Sequence, residues 1–264
     1  MRDFLNNGDD VMALVFLDLD GTTLDRGRPA FGIIETIAEL KQKGHRPVIA
    51  TGRVPHLLYG IEKILGIEDY IAANGNFIKY NGEVVYQRFI SKETVQKMVD
   101  YCDRLGIDLV LEGLYDYIAL SKKTSMVDDF SEIFNIEFPR IDREYHLKND
   151  VLSMVFFDDT KIEEVRKLFP ELVFNRSNRF GYDVNPQGNL KADGINWLVE
   201  YLDYPKEDIY AIGDGMNDIT MLKAVAHGIA MGNSYPELKT IAHHITDNVD
   251  QEGVRKALKH YGLI

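Results

Sequence analysis

Four apolar residues in a row, Leu14-Val15-Phe16-Leu17, are followed by a polar, glycine-broken stretch and then by Ile33, Ile34, Ile37 and Leu40, spaced as on one side of a helix. The first pattern predicts a buried strand and the second an amphipathic helix that stops at Gly44. The alternation repeats with an apolar run over 47–50, helical spacing at Leu57, Leu58, Ile61 and Leu65, and a strand over 70–73. Strands without a polar face, separated by helix-length segments, are what a parallel sheet covered on both sides requires. The expected fold class is therefore α/β, a Rossmann-like parallel sheet with helices on both faces. Asn81-Gly82, between 77–80 and 84–86, predicts a tight hairpin.

Between residues 82 and 186 the rhythm changes. A helix bearing Val95, Met98, Val99 and Cys102 ends at Gly106, and two strand-like runs over 107–112 and 115–120 turn at Gly113. A helical segment with Met126, Val127, Phe130 and Phe134 follows, then a strand over 153–157, a helix with Ile162, Val165 and Leu168, and strands near Leu172 and Tyr182. Hairpins and paired helices predict a separate α+β layer. No catalytic cluster is visible in it, so its expected task is to cover a site and select the substrate, with its Tyr and Arg residues as candidate contacts. The core pattern then resumes with Ile195, Leu198, Val199 and Leu202 on one helical stripe, a strand over 208–212 and a helix over 219–225. Short strand-helix units and a last helix with Val254, Ala257, Leu258 and Tyr261 complete the chain. The expected organisation is core over 1–81, an inserted cap over 82–186, and core again over 187–264.

Composition narrows the partners. With 30 Lys and Arg against 42 Asp and Glu, the formal charge is −12, which argues against a nucleic-acid partner, since backbone binding needs clustered cations. A small phosphorylated metabolite remains compatible if a divalent cation supplies local positive charge. Cys102 is the single cysteine, expected to be buried on a helix, and its solitude favours a reducing, cytoplasmic setting. No apolar run reaches the roughly 18 residues of a membrane helix, and the first ten residues lack a signal-peptide core, so no membrane role is expected. The seven histidines show no metal-binding spacing, and neither a Gly-x-Gly-x-x-Gly nor a Gly-Lys-Ser/Thr loop is present.

Candidate chemistry gathers where predicted strands end. Asp18 and Asp20 follow the first apolar run, just before Gly21, and ligands of open α/β sheets sit outside that edge. Asp18 can serve as a nucleophile towards phosphorus, and Asp20 as the acid for the leaving oxygen and then the base for water. Thr51-Gly52-Arg53 ends the second strand, offering a hydroxyl and a guanidinium to phosphoryl oxygens. Lys191 precedes a helix, where the dipole disfavours a cation; that placement suits a lysine recruited to neutralise Asp18 or a phosphate. Asp214, after the strand over 208–212, offers oxygen to a hard cation. Asn217 and Asp218 fall where a helix cap would be, a role compatible with supporting a metal shell.

In this order, Asp18-Leu19-Asp20-Gly21-Thr22, Thr51-Gly52-Arg53, Lys191 and Gly213-Asp214-x-x-Asn217-Asp218 resemble the four motifs of the haloacid dehalogenase-like phosphohydrolases. The cap position, Asn74-Gly75 and Met231-Gly232-Asn233-Ser234 resemble the Cof-type subgroup. The resemblance implies Asp18 as nucleophile and magnesium ligand, and Asp20 as acid/base that lends its backbone carbonyl to the metal. It further implies Thr51 as a phosphate-binding hydroxyl with Gly52, Arg53 and Asn217 beside it, Lys191 as stabiliser of the phosphorylated intermediate, Asp214 as metal ligand and Asp218 as support of its loop. The expected activity is a Mg2+-dependent phosphatase for small phosphorylated metabolites, either sugar phosphates or phosphorylated cofactors, working through an aspartyl phosphate. A sugar phosphomutase using the same pair, and a dormant phospho-ligand-binding regulator, stay open as alternatives. Oligomeric state is not legible.

Overall fold

Strand β1 (Leu14–Leu17) is buried at every position because it lies in the middle of a sheet, paired in parallel on both edges. The computed structural model describes residues 12–121, 127, 131, 139–176, 181–188 and 190–264. After β1 come the small hairpin β2 (Leu24–Asp25) and β3 (Arg28–Pro29), the helix Ile33–Gln42, β4 (Arg46–Ala50), β5 (Tyr70–Ala72), β6 (Phe77–Tyr80) and β7 (Glu83–Gln87). The helix Lys92–Leu105 leads to β8 (Asp108–Glu112), β9 (Tyr117–Ala119), β10 (Arg140–Ile141) and β11 (Ser153–Phe157). The helix Ile162–Leu168, β12 (Leu172–Arg176) and β13 (Tyr182–Pro186) follow. The last third holds the helix Lys191–Leu202, β14 (Ile209–Gly213), the helix Ile219–Ala224, β15 (His227–Ala230), β16 (His244–Ile245) and the helix Gly253–His260.

Two sheets result. Eight strands run in the order β16-β15-β14-β1-β4-β5-β6-β7, parallel from β16 to β5 and antiparallel in the final hairpin. Six run in the order β10-β9-β8-β11-β13-β12. The larger sheet reverses its direction of winding at β1, with β4 and β5 laid down on one side and β14 and β15 on the other, which makes the carboxyl end of β1 the natural crevice. Alternation along β1 sends Val15 and Leu17 to one apolar layer with Ile37, Leu40 and Leu258, and Leu14 and Phe16 to the opposite layer with Ile195, Leu198 and Leu222.

Several elements depart from the pattern-based reading. The single helix expected around Leu57 and Ile61 is split into a 3-10 turn, Pro55–Leu58, and a short helix, Ile61–Ile64, because Tyr59 and Gly60 both take left-handed backbone angles. Ile34, placed on the buried stripe of the first helix, is exposed, and Thr36 takes the inward place. The chain leaves the larger sheet after Gln87 and not at residue 82, since β7 pairs with β6 around the Asn81-Gly82 turn. Val127 is buried and helical, whereas Met126, Phe130 and Phe134 lie outside the described residues. Cys102 is buried on its helix as expected. Among the described residues, no helix is long and apolar enough to cross a membrane.

Candidate active site

The site is built on strand ends of the larger sheet. Immediately after β1, Asp18 is 6% exposed and its Oδ1 accepts a hydrogen bond from Lys191 Nζ at 2.5 Å. The same ammonium donates to Asp218 Oδ1 at 2.5 Å. Lys191 opens its helix, yet its side chain is turned inward and fully buried, so the cation placed against the helix dipole is offset by two carboxylates. Burial by itself would lower its pKa; Asp18 and Asp218 more than offset that, and the lysine holds its proton. The Asp18 carboxyl is pushed well up, first by burial and then by the charge of Asp218, with Lys191 pulling the other way.

Asp218 does not cap the helix that follows it. Its second oxygen, Oδ2, accepts from the backbone N–H groups of Asp214 at 2.9 Å and Gly215 at 2.8 Å, clamping the loop after β14. Asp214 is thereby aimed at Asp18. Its Oδ1 accepts from the Thr22 hydroxyl at 3.0 Å and its Oδ2 from Asn233 Nδ2 at 3.3 Å. Burial, followed by the charge of Asp218, pushes the Asp214 carboxyl up to about 7. Gly21 makes this approach possible, because a Cβ there would lie 2.1 Å from Asp214 Oδ2 and its φ of +81° favours glycine.

Asp18, Asp214 and Asp218 each bring a carboxylate oxygen within 4.8 Å of the others. Three negative charges against one ammonium leave a formal −2, and hard oxygen donors suit a hard divalent cation. Asp218 already accepts from the Lys191 ammonium on one oxygen and from two backbone N–H groups on the other, whereas each Asp214 oxygen accepts one bond from a neutral group and Asp18 has only Oδ1 held by Lys191. Asp18 and Asp214 are therefore the side chains that fit as ligands, with Asp218 as their support.

Asp20 and Arg53 form a forked ion pair across the mouth of the site. Arg53 Nε donates to Asp20 Oδ2 at 2.8 Å and Nη2 to Oδ1 at 2.6 Å, while Nη1 reaches the carbonyl of Leu57 at 3.2 Å. The guanidinium expected on a phosphoryl group is therefore turned to Asp20. Thr51 is buried, and its Oγ accepts from the Arg53 N–H at 3.1 Å, which leaves its own proton to donate. Gly52 sits against Asn74, where a Cβ would lie 3.2 Å from Oδ1. Asn217 Nδ2 stands 3.5 Å from Asn74 Oδ1 across the same gap.

All nine sequence-derived site residues thus lie around the carboxyl ends of β1, β4 and β14, with Lys191 delivered by the helix that precedes β14. Asn233, quoted from the sequence only within Met231-Gly232-Asn233-Ser234 and given no role there, donates through Nδ2 also to the Gly21 carbonyl at 2.9 Å, and its Oδ1 accepts from the Val249 N–H at 2.8 Å, joining three loops. Asn74, quoted with Gly75 for the resemblance, adopts φ +51° and lines the cavity. That cavity, of about 880 Å³, runs from Asp18, Thr51 and Asn217 to Glu112, Ser153 and Asp183 of the smaller sheet. Asp183 between Tyr182 and Val184 along β13, and Glu112 closing the apolar run of β8, were the signals that could have found this second wall.

A parallel-sheet core with acids, a threonine and a lysine at one strand edge defines an α/β enzyme of phosphoryl groups. Comparison is specific: the model for the haloacid dehalogenase-like hydrolases matches residues 15–258, and the chain belongs to that family, in its Cof-type branch. YkrA of Bacillus subtilis is 32% identical over 95% of this chain and 98% of its own. YcsE of the same organism, named a 5-amino-6-(5-phospho-D-ribitylamino)uracil phosphatase, is 28% identical over 95% of this chain and 96% of its own. The structure of the phosphatase BT1666 from Bacteroides thetaiotaomicron superposes with a TM-score of 0.88 at 28% identity, covering all of both chains. The protein is a phosphoric monoester hydrolase of the haloacid dehalogenase-like class.

Proposed function

We propose that the protein hydrolyses small phosphorylated metabolites with magnesium, through a phosphoryl group carried transiently on Asp18. The observation that carries this reading is Lys191, which joins Asp18 and Asp218 from 173 and 27 residues away in a fully buried contact. With Oδ1 held by the ammonium, Oδ2 of Asp18 is assigned the in-line attack on phosphorus. The Thr51 hydroxyl and Asn217 amide orient the phosphoryl oxygens, and Lys191 stabilises the charge that develops on them. Magnesium, when bound by Asp18, Asp214 and the Asp20 carbonyl, would add Lewis-acid charge to the same oxygens. Asp20 is assigned proton delivery to the leaving oxygen and then activation of water; to do so it must exchange the Arg53 fork for the substrate.

The smaller sheet, with the segment from about residue 88 to 186, is assigned the role of a cap that covers this centre and selects the leaving group. Buried Cys102 and the charge of −12 support a reducing, cytoplasmic setting with no nucleic-acid partner. The test is phosphate release from an aryl phosphate in magnesium. Asp18→Asn should abolish it with the unfolding midpoint retained, and chelation should stop the unaltered enzyme. Turnover by Asp18→Asn removes the nucleophile; indifference to chelation removes the metal.

A further inference from the structure

The smaller sheet has two unlike faces. Leu109, Leu111, Met154, Phe156, Phe174 and Val184 alternate onto one side and pack together in a buried apolar cluster with residues of the helices Lys92–Leu105 and Ile162–Leu168. The intervening positions, Val110, Glu112, Ser153, Val155, Asn175 and Asp183, fall on the side turned to the cavity. Register brings the polar ones together: Glu112 lies opposite Ser153, and Asp183 opposite both Asn175 and Val155. The Ser153 hydroxyl donates to Glu112 Oε2. Glu112, Ser153, Asn175 and Asp183 all line the cavity that holds Asp18, and Glu112 is 8% exposed. None of them is used by the phosphoryl chemistry, and about 880 Å³ is far more than a phosphoryl group fills.

We propose that this polar strip, through Glu112, Ser153, Asn175 and Asp183, receives the leaving alcohol, and that the alcohol is an uncharged, polyhydroxylated chain. The inference rests on the phosphatase reading of the site. A hydroxyl both donates and accepts, and the strip offers a hydroxyl, a carboxamide and two carboxyl groups to match. Burial, reinforced by the charge of Asp183, pushes the Glu112 carboxyl up to about 8, so at neutral pH it donates as well as accepts.

Other leaving groups fit less well. Arg166 and Arg176 also line the cavity, so an ammonium group there would meet cations as well as the acids of the strip. A second phosphate would find both guanidiniums engaged: Arg176 on Asp159 and the Tyr182 hydroxyl, Arg166 on Glu163 and the Phe174 carbonyl. A flat aromatic ring at the strip needs an open stacking face there: Phe174 is buried edge-on against Phe156, and the exposed ring of the lining, Tyr235, belongs to the larger-sheet side, where its backbone N–H donates to the Asp214 carbonyl.

Binding to the Asp18→Asn protein in magnesium, read by calorimetry, separates these classes with three esters: a hexitol 6-phosphate, 2-aminoethyl phosphate and propyl phosphate. The hexitol ester should bind at least about tenfold tighter than propyl phosphate, because an apolar chain desolvates the polar strip and returns no hydrogen bonds to it. Asn175→Ala and Glu112→Ala should each remove most of that margin, and Glu112→Gln, which keeps shape and a donor, should hold it within about threefold. If Glu112→Ala fails to fold, Asn175→Ala carries the test. Preference for the aminoethyl ester, or a margin that survives the alanine changes, overturns the inference alone. Failure of all three to bind, with no phosphate released by the unaltered protein, overturns the phosphatase reading and this inference with it.

Discussion

Two buried ionisable residues show opposite solutions to the cost of desolvation. Lys191 is surrounded by acceptors and keeps its charge between Asp18 and Asp218. Glu112 has a neighbouring acid in place of a cation, and its carboxyl is pushed up from the ordinary 4.5 to about 8 by burial and then by Asp183. Because the folded form holds this proton more tightly than the unfolded chain, the stability it contributes is complete below about pH 4.5 and is lost as the pH rises towards 8. Glu112→Gln cannot lose a proton. Urea titrations at pH 5 and pH 9 should therefore show the variant gaining roughly 1–3 kcal/mol on the parent over that span. Parallel curves at both pH values would mean that Glu112 is ionised throughout.

Elements of this fold matter for the geometry of their ends. Asp18 and Asp214 arrive from neighbouring parallel strands, and only the left-handed turn at Gly21 lets the first loop pass beneath the second carboxylate. Gly21→Ala would place a Cβ at 2.1 Å from Asp214 Oδ2 in a backbone conformation that alanine disfavours. Displacing Asp214 should lower kcat for an aryl phosphate about 100-fold or more, with roughly 1–3 kcal/mol lost in stability. Near-normal turnover would show that the loop can shift without consequence. At this scale the sequence was widely legible. Apolar runs marked β1, β4, β5 and β14 because burial on both faces leaves a strand no polar face, and Gly44 and Gly106, both at positive φ, marked helix ends. The helix at Leu57 was misread because apolar spacing carries no information on backbone angles, and Tyr59 with Gly60 interrupts it.

At the scale of the whole molecule, the reactive centre and the polar strip form one cavity closed by two sheets. A ligand that binds this cavity in the folded protein and not the unfolded chain stabilises the folded state by mass action. In the presence of magnesium, inorganic phosphate at 100 times its Kd should raise the melting temperature by roughly 5–10 °C, read by scanning calorimetry. A melting curve that phosphate leaves in place would show no anion site at the Asp18 edge.

By itself the sequence determined the α/β class and which polar residues gather at one edge of the larger sheet. Strand ends of a parallel sheet converge on one edge whatever the details of packing, so the acids and the threonine at those ends had to meet, while Lys191 reaches them from the start of a helix. Only the tertiary structure decided that Arg53 holds Asp20, that Asp218 clamps a loop and carries Lys191, and that Glu112, Ser153, Asn175 and Asp183 stand against the same cavity. Those are distances between side chains far apart in the chain, set by strand register and by which face of the second sheet turns inward, and local pattern does not encode them.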